Sequence, residues 1–374
     1  MKYSITVILW FLPLLLTNEL YAMDTKALYA ILVDNNTNTV LLEKNADAPM
    51  APSSMSKLMT VYLVFEQLKN NLISLEDQFT VSERAWRKQG SKMFLKLDSK
   101  VSVKELLLGT VVQSGNDACI ALAEGVMGSE LAFTEAMNKK AQEFGMKNTF
   151  FKNASGWPEE GHIMSVRDLY ILSKRLIEDF PEYYDYFAIK DYTFNGIKQE
   201  NRNSLLARNI GVDGLKTGHA DDAGYGVAVS SLINGRRLIL VINGMDSMQS
   251  RAIEAESLLN YGFLNFTNVT AAKANQPIEK IEVLLGKSKT LEVVSDKDII
   301  MTVPTQDVNK VKIEKEYTAS LKAPIQKGDI VGKLIIKIGE DKQEFPLYSN
   351  ENIQELPFFS RIYNQIKYYL LDSN

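Results

Sequence analysis

Two short apolar runs, residues 27–33 and 38–43, flank the turn-forming stretch Asp34-Asn35-Asn36-Thr37-Asn38, which predicts an antiparallel hairpin near the start of the fold. Helical spacing then takes over. Leu58, Val61, Val64 and Leu68 mark one face of a helix over residues 54–69, introduced by Pro52-Ser53. Residues 102–180 keep a mainly helical period, broken at Ser114-Gly115 and at Ser155-Gly156-Trp157-Pro158. Strand-like runs return at 211–218, 224–232 and 237–243. Asn234-Gly235 joins the last two, and both residues tolerate the positive φ of a tight hairpin turn. A helix over 250–261 closes this part. Strand pairs at both ends with helices between them predict an α+β domain, an antiparallel sheet assembled from both ends and covered by helices.

The texture changes around residues 267–277. Between 275 and 350 the segments are short and β-rich (278–283, 290–294, 299–303, 310–317, 330–338), punctuated by Pro304, Pro324, Gly328 and Gly339. That predicts a small all-β C-terminal domain. The tail, residues 355–372, is a terminal amphipathic helix. Phe359, Ile362, Tyr363, Ile366 and Leu370 share one face, with Arg361, Asn364, Gln365 and Tyr368 opposite. A helix of about 15 residues covers about 22 Å, too short and too polar to cross a bilayer. It suits lying in a membrane interface, or docking on its own protein.

A length of 374 residues and 45% hydrophobic content allow two domains with real cores. A net charge of −4 with both signs mixed excludes the basic excess that nucleic-acid binding requires. Lys2, the apolar run 5–16 and Leu20-Tyr21-Ala22 predict a secretory signal over residues 1–22, leaving 23–265 for the first domain. A lone cysteine, Cys119, cannot form an internal disulfide and reads as a small buried side chain. No cluster of Cys or His has ligand spacing, so no metal and no cofactor is expected.

Three short motifs stand in order: Ser54-Met55-Ser56-Lys57 opening a helix, Ser114-Gly115-Asn116 in a break between helices, and Lys216-Thr217-Gly218 on a strand. Singly each is weak; together, with first residues 60 and 102 positions apart, they are specific. Positions i and i+3 share a helix face, so the Lys57 amine can reach the Ser54 hydroxyl. Lysine acts as a base only when neutral. Burial and a second cation, for which Lys216 is the obvious candidate, would both depress its pKa. The Ser114 hydroxyl can bridge two amines and pass a proton to a leaving group, and the Asn116 amide can hold a peptide backbone. Lys216 and Thr217 can receive the terminal carboxylate of an extended substrate, with Gly218 leaving room for close backbone approach. The amides of Ser54 and His219 are candidate oxyanion donors. A Ser-His-Asp triad would need His162 or His219. His219 adjoins the strand motif and could contact substrate, whereas His162 reads as a surface loop residue. Nothing resembles G-x-S-x-G.

The stretches Ala51-Pro52-Ser53-Ser54-Met55-Ser56-Lys57-Leu58-Met59-Thr60, Ser114-Gly115-Asn116-Asp117-Ala118-Cys119 and Asp213-Gly214-Leu215-Lys216-Thr217-Gly218-His219 resemble the active-site blocks of low-molecular-mass penicillin-binding proteins. More narrowly they resemble the serine-type D-alanyl-D-alanine carboxypeptidases. The resemblance implies a β-lactamase/transpeptidase-like catalytic domain. Ser54 would be the acylated nucleophile and Lys57 its base, with Ser114 and Asn116 in the proton network and substrate grip. Lys216 and Thr217 would take the substrate carboxylate. Arg251 matches an arginine the family uses near that carboxylate, and Asn201-Arg202-Asn203 also looks like a family block, without an assigned chemistry. It further implies peptidoglycan pentapeptides as substrate, β-lactams as covalent inhibitors, and a location at the periplasmic face of the bacterial inner membrane. A D,D-endopeptidase, a β-lactamase and an inactive wall-binding protein remain alternatives. A class A β-lactamase would need a water-activating glutamate; Glu159 and Glu160 lie in the relevant stretch, in a Trp157-Pro158 context that does not match.

Overall fold

The structure, a computed structural model, describes residues 24–371, so the expected signal sequence lies outside the described residues. Five antiparallel strands form the main sheet: β1 (Tyr29–Asp34), β2 (Thr39–Lys44), β3 (Val212–Ala220), β4 (Gly224–Ile233) and β5 (Arg236–Met245). Their order is β2-β1-β5-β4-β3, so the N-terminal hairpin joins the C-terminal meander through β1 and β5. The hairpin turn between β4 and β5 carries Asn234 and Gly235 at φ +51 and +79, as its dipeptide requires. Among the described residues β3, which carries Lys216-Thr217-Gly218, pairs only with β4 and is an edge strand.

Side chains alternate across this sheet, and each face has its own cover. Ile31, Val33, Ala228 and Val241 point into a core built with α1 (Lys57–Lys69), α2 (Val103–Val111), α3 (Asn116–Met127), α4 (Glu130–Glu143) and α5 (Val166–Asp179). Ala30, Leu32, Leu238 and Leu240 point the other way, onto Leu258 and Leu259 of α6 (Met248–Asn265). Helix α1 is buried nearly all round and runs through the first core, which fixes its N-terminal turn beside the sheet. That turn is a separate 3-10 segment, Ser53–Ser56, so the α-helix proper begins at Lys57 rather than at Ser54.

Beyond α6 the chain is β-rich to residue 349. Phe266–Ala272 pairs with Ile299–Pro304, and a five-stranded antiparallel sheet surrounds a core of Leu291, Val293, Val331, Leu334 and Leu347. Two of these strands depart from the sequence reading. Phe266–Ala272 occupies what reads as a change of texture, and Asp341–Ser349 is a full strand despite Pro346. Phe358–Leu371 is helical, with Phe359 84% and Ile366 56% exposed, so these side chains are not docked on the protein. No helix among the described residues is long and apolar enough to cross a membrane.

Candidate active site

The nucleophile turn, the break before α3 and the edge strand β3 meet in one cleft. Ser54, Ser114, Thr217, Gly218, His219 and Arg251 line it, together with Arg202 and Tyr225. Lys57 lies beneath Ser54, wholly excluded from solvent (0% exposed). Its ammonium donates to Ser54 Oγ at 2.8 Å, to Asn116 Oδ1 at 2.8 Å and to the Ser155 carbonyl at 2.5 Å. All three N–H bonds of the amine are thereby aimed, one of them at the hydroxyl it would deprotonate. Burial pushes the Lys57 pKa down to about 8, and the Arg202 and Lys88 cations push the same way. Lys216, the second cation expected near this amine, is close enough to interact with it. Lys216 is itself buried and held well below the usual lysine range, first by desolvation and then by Lys57 and Arg202. The repulsion between the two buried amines is mutual, so Lys216 joins Arg202 and Lys88 among the cations that disfavour a charged Lys57.

Asn116 is tied at both ends. Its Oδ1 accepts from Lys57 and its Nδ2 donates to the Gln89 carbonyl at 2.9 Å, leaving one amide N–H for a ligand. The adjoining Asp117 is fully buried and accepts from the amides of Met93 (2.9 Å) and Leu95 (3.2 Å), so the second motif also anchors the loop that walls the cleft. Ser114 adopts φ +57, a left-handed conformation that non-glycine side chains rarely take. Its buried hydroxyl has no partner among the described residues, an open valence where a substrate atom would lie.

Close backbone approach explains two glycines. A Cβ on Gly218 would stand 2.8 Å from the Pro52 carbonyl oxygen, so glycine lets β3 lie against the nucleophile turn. The approach it permits is that of the chain's own backbone. Gly156, at φ +73, is more restricted still, since a Cβ there would meet the Ser53 carbonyl oxygen at 1.9 Å. This presses the 155–162 loop onto the same turn and brings the Ser155 carbonyl to Lys57.

The two histidines separate. The His219 ring stacks on Tyr225 with centroids 3.9 Å apart and is partly exposed at the cleft. The reading of His162 as a surface residue is corrected, because it is buried against the nucleophile turn. Its Nδ1 accepts the Lys152 amide at 3.2 Å, so Nε2 carries the proton and donates to Ser56 Oγ at 2.8 Å. Burial pushes its pKa down to about 4, and the ring is neutral at physiological pH. Arg251 is buried and donates to the Arg202 carbonyl at 3.1 Å, with its pKa pushed down to about 10 by burial. Arg202, to which the sequence assigns no chemistry, stands beside it and donates to Ser91 Oγ at 2.7 Å. Two guanidiniums thus converge on one wall of the cleft. Cys119 is buried under Thr110, as expected for a packing residue. Among the described residues no group of His, Cys, Asp and Glu could hold a metal ion.

A hydroxyl held by a buried, pKa-depressed amine, beside an edge strand and a cationic wall, is the equipment of a serine acyl-transfer enzyme with a lysine base. Comparison with known proteins places the chain more narrowly. The D-alanyl-D-alanine carboxypeptidase family matches residues 17–247, and the C-terminal domain of penicillin-binding protein 5 matches residues 266–355. The chain belongs to the D-alanyl-D-alanine carboxypeptidase family. It is 37% identical to D-alanyl-D-alanine carboxypeptidase DacA of Haemophilus influenzae, covering 89% of this chain and 87% of that protein. Penicillin-binding protein 5 from Haemophilus influenzae superposes with a TM-score of 0.79 at 36% identity, over 89% of this chain and 98% of that one. Penicillin-binding protein D2 of Listeria monocytogenes, solved in an ampicillin-bound form, gives a TM-score of 0.59 at 31% identity over 64% of this chain and 98% of that one.

Proposed function

We propose that the protein removes the terminal D-alanine from peptidoglycan pentapeptides through an acyl-enzyme on Ser54, and that penicillins trap the same ester. The observation that carries this reading is the 2.8 Å contact between Ser54 Oγ and a fully buried Lys57 amine whose pKa is pushed down to about 8. In its neutral form Lys57 accepts the Ser54 proton as Oγ attacks the carbonyl of the penultimate D-alanine. The amides of Ser54 and His219 receive the oxyanion, and one such donor lowers a barrier by about 3 kcal/mol. Ser114, with its hydroxyl free, passes the proton to the leaving nitrogen as the peptide C–N bond breaks and D-alanine departs. Water then hydrolyses the ester and regenerates Ser54.

The substrate lies along the open edge of β3. Its terminal carboxylate meets Thr217, Arg251 and Arg202, with Lys216 behind them, while Asn116 offers its remaining N–H. We assign the catalytic domain to residues 23–265 and the β-rich domain to 275–350. Export by the 1–22 signal and attachment through the exposed apolar face of the terminal helix would hold the enzyme at the periplasmic face of the inner membrane. Labelling with a fluorescent penicillin tests the acyl-enzyme. The label should be covalent in the wild type and absent from Ser54→Ala; labelling of Ser54→Ala would refute the assignment.

A further inference from the structure

The acylation step makes no use of the buried imidazole of His162, which lies against the nucleophile turn. In a 3-10 segment residues three apart eclipse one another. Ser54 and Lys57 therefore share one face of the turn, and Met55 and Ser56 leave it in the other two directions. Met55 is fully buried toward the sheet; a Cβ on Gly218 would stand 3.2 Å from its Cγ, and one on Gly226 2.7 Å from its Cε. Ser56 is fully buried on the remaining side, where its Oγ accepts from His162 Nε2 at 2.8 Å. Packing against β3 and β4 thus holds the turn on one side, and a single directional bond holds it on another.

The imidazole is itself firmly held. Its Nδ1 accepts the Lys152 amide at 3.2 Å, and its ring meets Phe151 edge to face with centroids 5.7 Å apart. The His162 amide donates to the Glu159 carbonyl at 2.9 Å, and Phe150 and Ile163 exchange both backbone hydrogen bonds at the base of the same loop. That loop also supplies the Ser155 carbonyl to which Lys57 donates at 2.5 Å. One ring thus ties together the two pieces of chain whose relative position decides where the Ser54 hydroxyl and the Lys57 amine meet. The flexible thioether of Met55 fills space without fixing an orientation, whereas a hydrogen bond is directional and resists rotation of the turn.

We propose that His162 is a positioning residue for acylation: its Nε2–H, given to Ser56, fixes the rotation of the nucleophile turn that sets Ser54 Oγ against the Lys57 amine. The proposal rests on the acyl-enzyme reading and adds to it a residue that touches neither the substrate nor the reacting atoms. The active element is the donor at Nε2 rather than the ring as filler, so substitution can separate the two. A glutamine amide can bring its N–H to the place of Nε2. Asparagine, one methylene shorter, puts its carbonyl oxygen near the place of Nδ1; it can still accept from Lys152 but falls short of Ser56.

The test is the second-order rate constant for acylation by a fluorescent penicillin at pH 8, measured for wild type, His162→Gln, His162→Asn, Ser56→Ala and the His162→Asn/Ser56→Ala double variant. Circular dichroism melting reports the stability of each. His162→Asn and Ser56→Ala should each slow acylation by about tenfold, a modest loss for a displaced nucleophile. The double variant should be no slower than either, because both changes remove one bond. His162→Gln, which restores the donor, should stay within about threefold of wild type. Wild-type acylation by His162→Asn or Ser56→Ala, additive losses in the double variant, or a His162→Gln as slow as His162→Asn would overturn the proposal. If His162→Asn does not fold, Ser56→Ala, which leaves the ring and its loop in place, decides alone. Labelling of Ser54→Ala would instead overturn the acyl-enzyme reading, and the positioning role with it.

Discussion

The base assignment predicts a particular pH dependence of acylation. Lys57 must be neutral to accept the Ser54 proton, and its pKa is pushed down to about 8 by complete burial, with Arg202 and Lys88 adding to the effect. An amine of pKa about 8 is about one-tenth neutral at pH 7, whereas one at 10.5 would be neutral in only about 0.03% of molecules. The fold therefore supplies about 300 times more active base at pH 7 than an exposed lysine would. The second-order rate constant for acylation by benzylpenicillin should rise about tenfold per pH unit from pH 6 and level off above about 8. Removing a neighbouring cation favours the protonated amine, so Arg202→Gln should move this limb to higher pH and slow acylation at pH 7. Lys57→Arg keeps the charge but not the basicity, because a guanidinium stays protonated, and should lose acylation. The assay is the rate of fluorescent-penicillin incorporation across pH 5.5–9.5, with circular dichroism as the check on folding. A flat profile between pH 6 and 8, or near-normal acylation by Lys57→Arg, would refute the reasoning.

Three further outcomes are expected. Gly156→Ala places a Cβ 1.9 Å from the Ser53 carbonyl oxygen at a positive φ, so it should displace the nucleophile turn; penicillin labelling should fall at least tenfold and the melting temperature should drop. Asp117→Ala strands the buried amides of Met93 and Leu95, at about 1–3 kcal/mol each, and urea unfolding should show a loss of that order. At the tail, Ile366→Asp should sharply reduce pelleting with anionic liposomes, because a buried isoleucine contributes about 1.5–3 kcal/mol, whereas Asn364→Asp should change it little. Equal pelleting of the two tail variants would remove the membrane role of this helix.

Local chemistry made most of the fold legible. Asn234-Gly235 announces its hairpin because few dipeptides accept two positive φ angles, and the apolar spacing of Leu58, Val61, Val64 and Leu68 announces α1. The strand Asp341–Ser349 escaped because its first four residues, Asp341 to Glu344, are exposed and polar, and its pairing partner rather than its own pattern holds it in the sheet. At the site, Ser54 and Lys57 are legible because they share one turn of chain. The groups around them are not. Arg202 and the Ser155 carbonyl reach the cleft from 148 and 101 positions beyond Ser54, and their neighbourhoods mark only a family-like block without a chemistry and a break in the helical period. His162 misleads for the same reason. Its segment, with Gly161 beside it, looks like an open loop, yet the ring is buried and bonded to Ser56, 106 residues away. The missing signal in each case is tertiary.

The most direct test of the account is D-alanine release from a muramyl pentapeptide ending in D-Ala-D-Ala, with purified wild type and Ser54→Ala measured side by side. The account predicts one D-alanine and one tetrapeptide per substrate molecule from the wild type, blocked by prior treatment with benzylpenicillin, and none from Ser54→Ala. D-alanine release that persists in Ser54→Ala, or a folded, penicillin-labelled wild type that releases none, would contradict it.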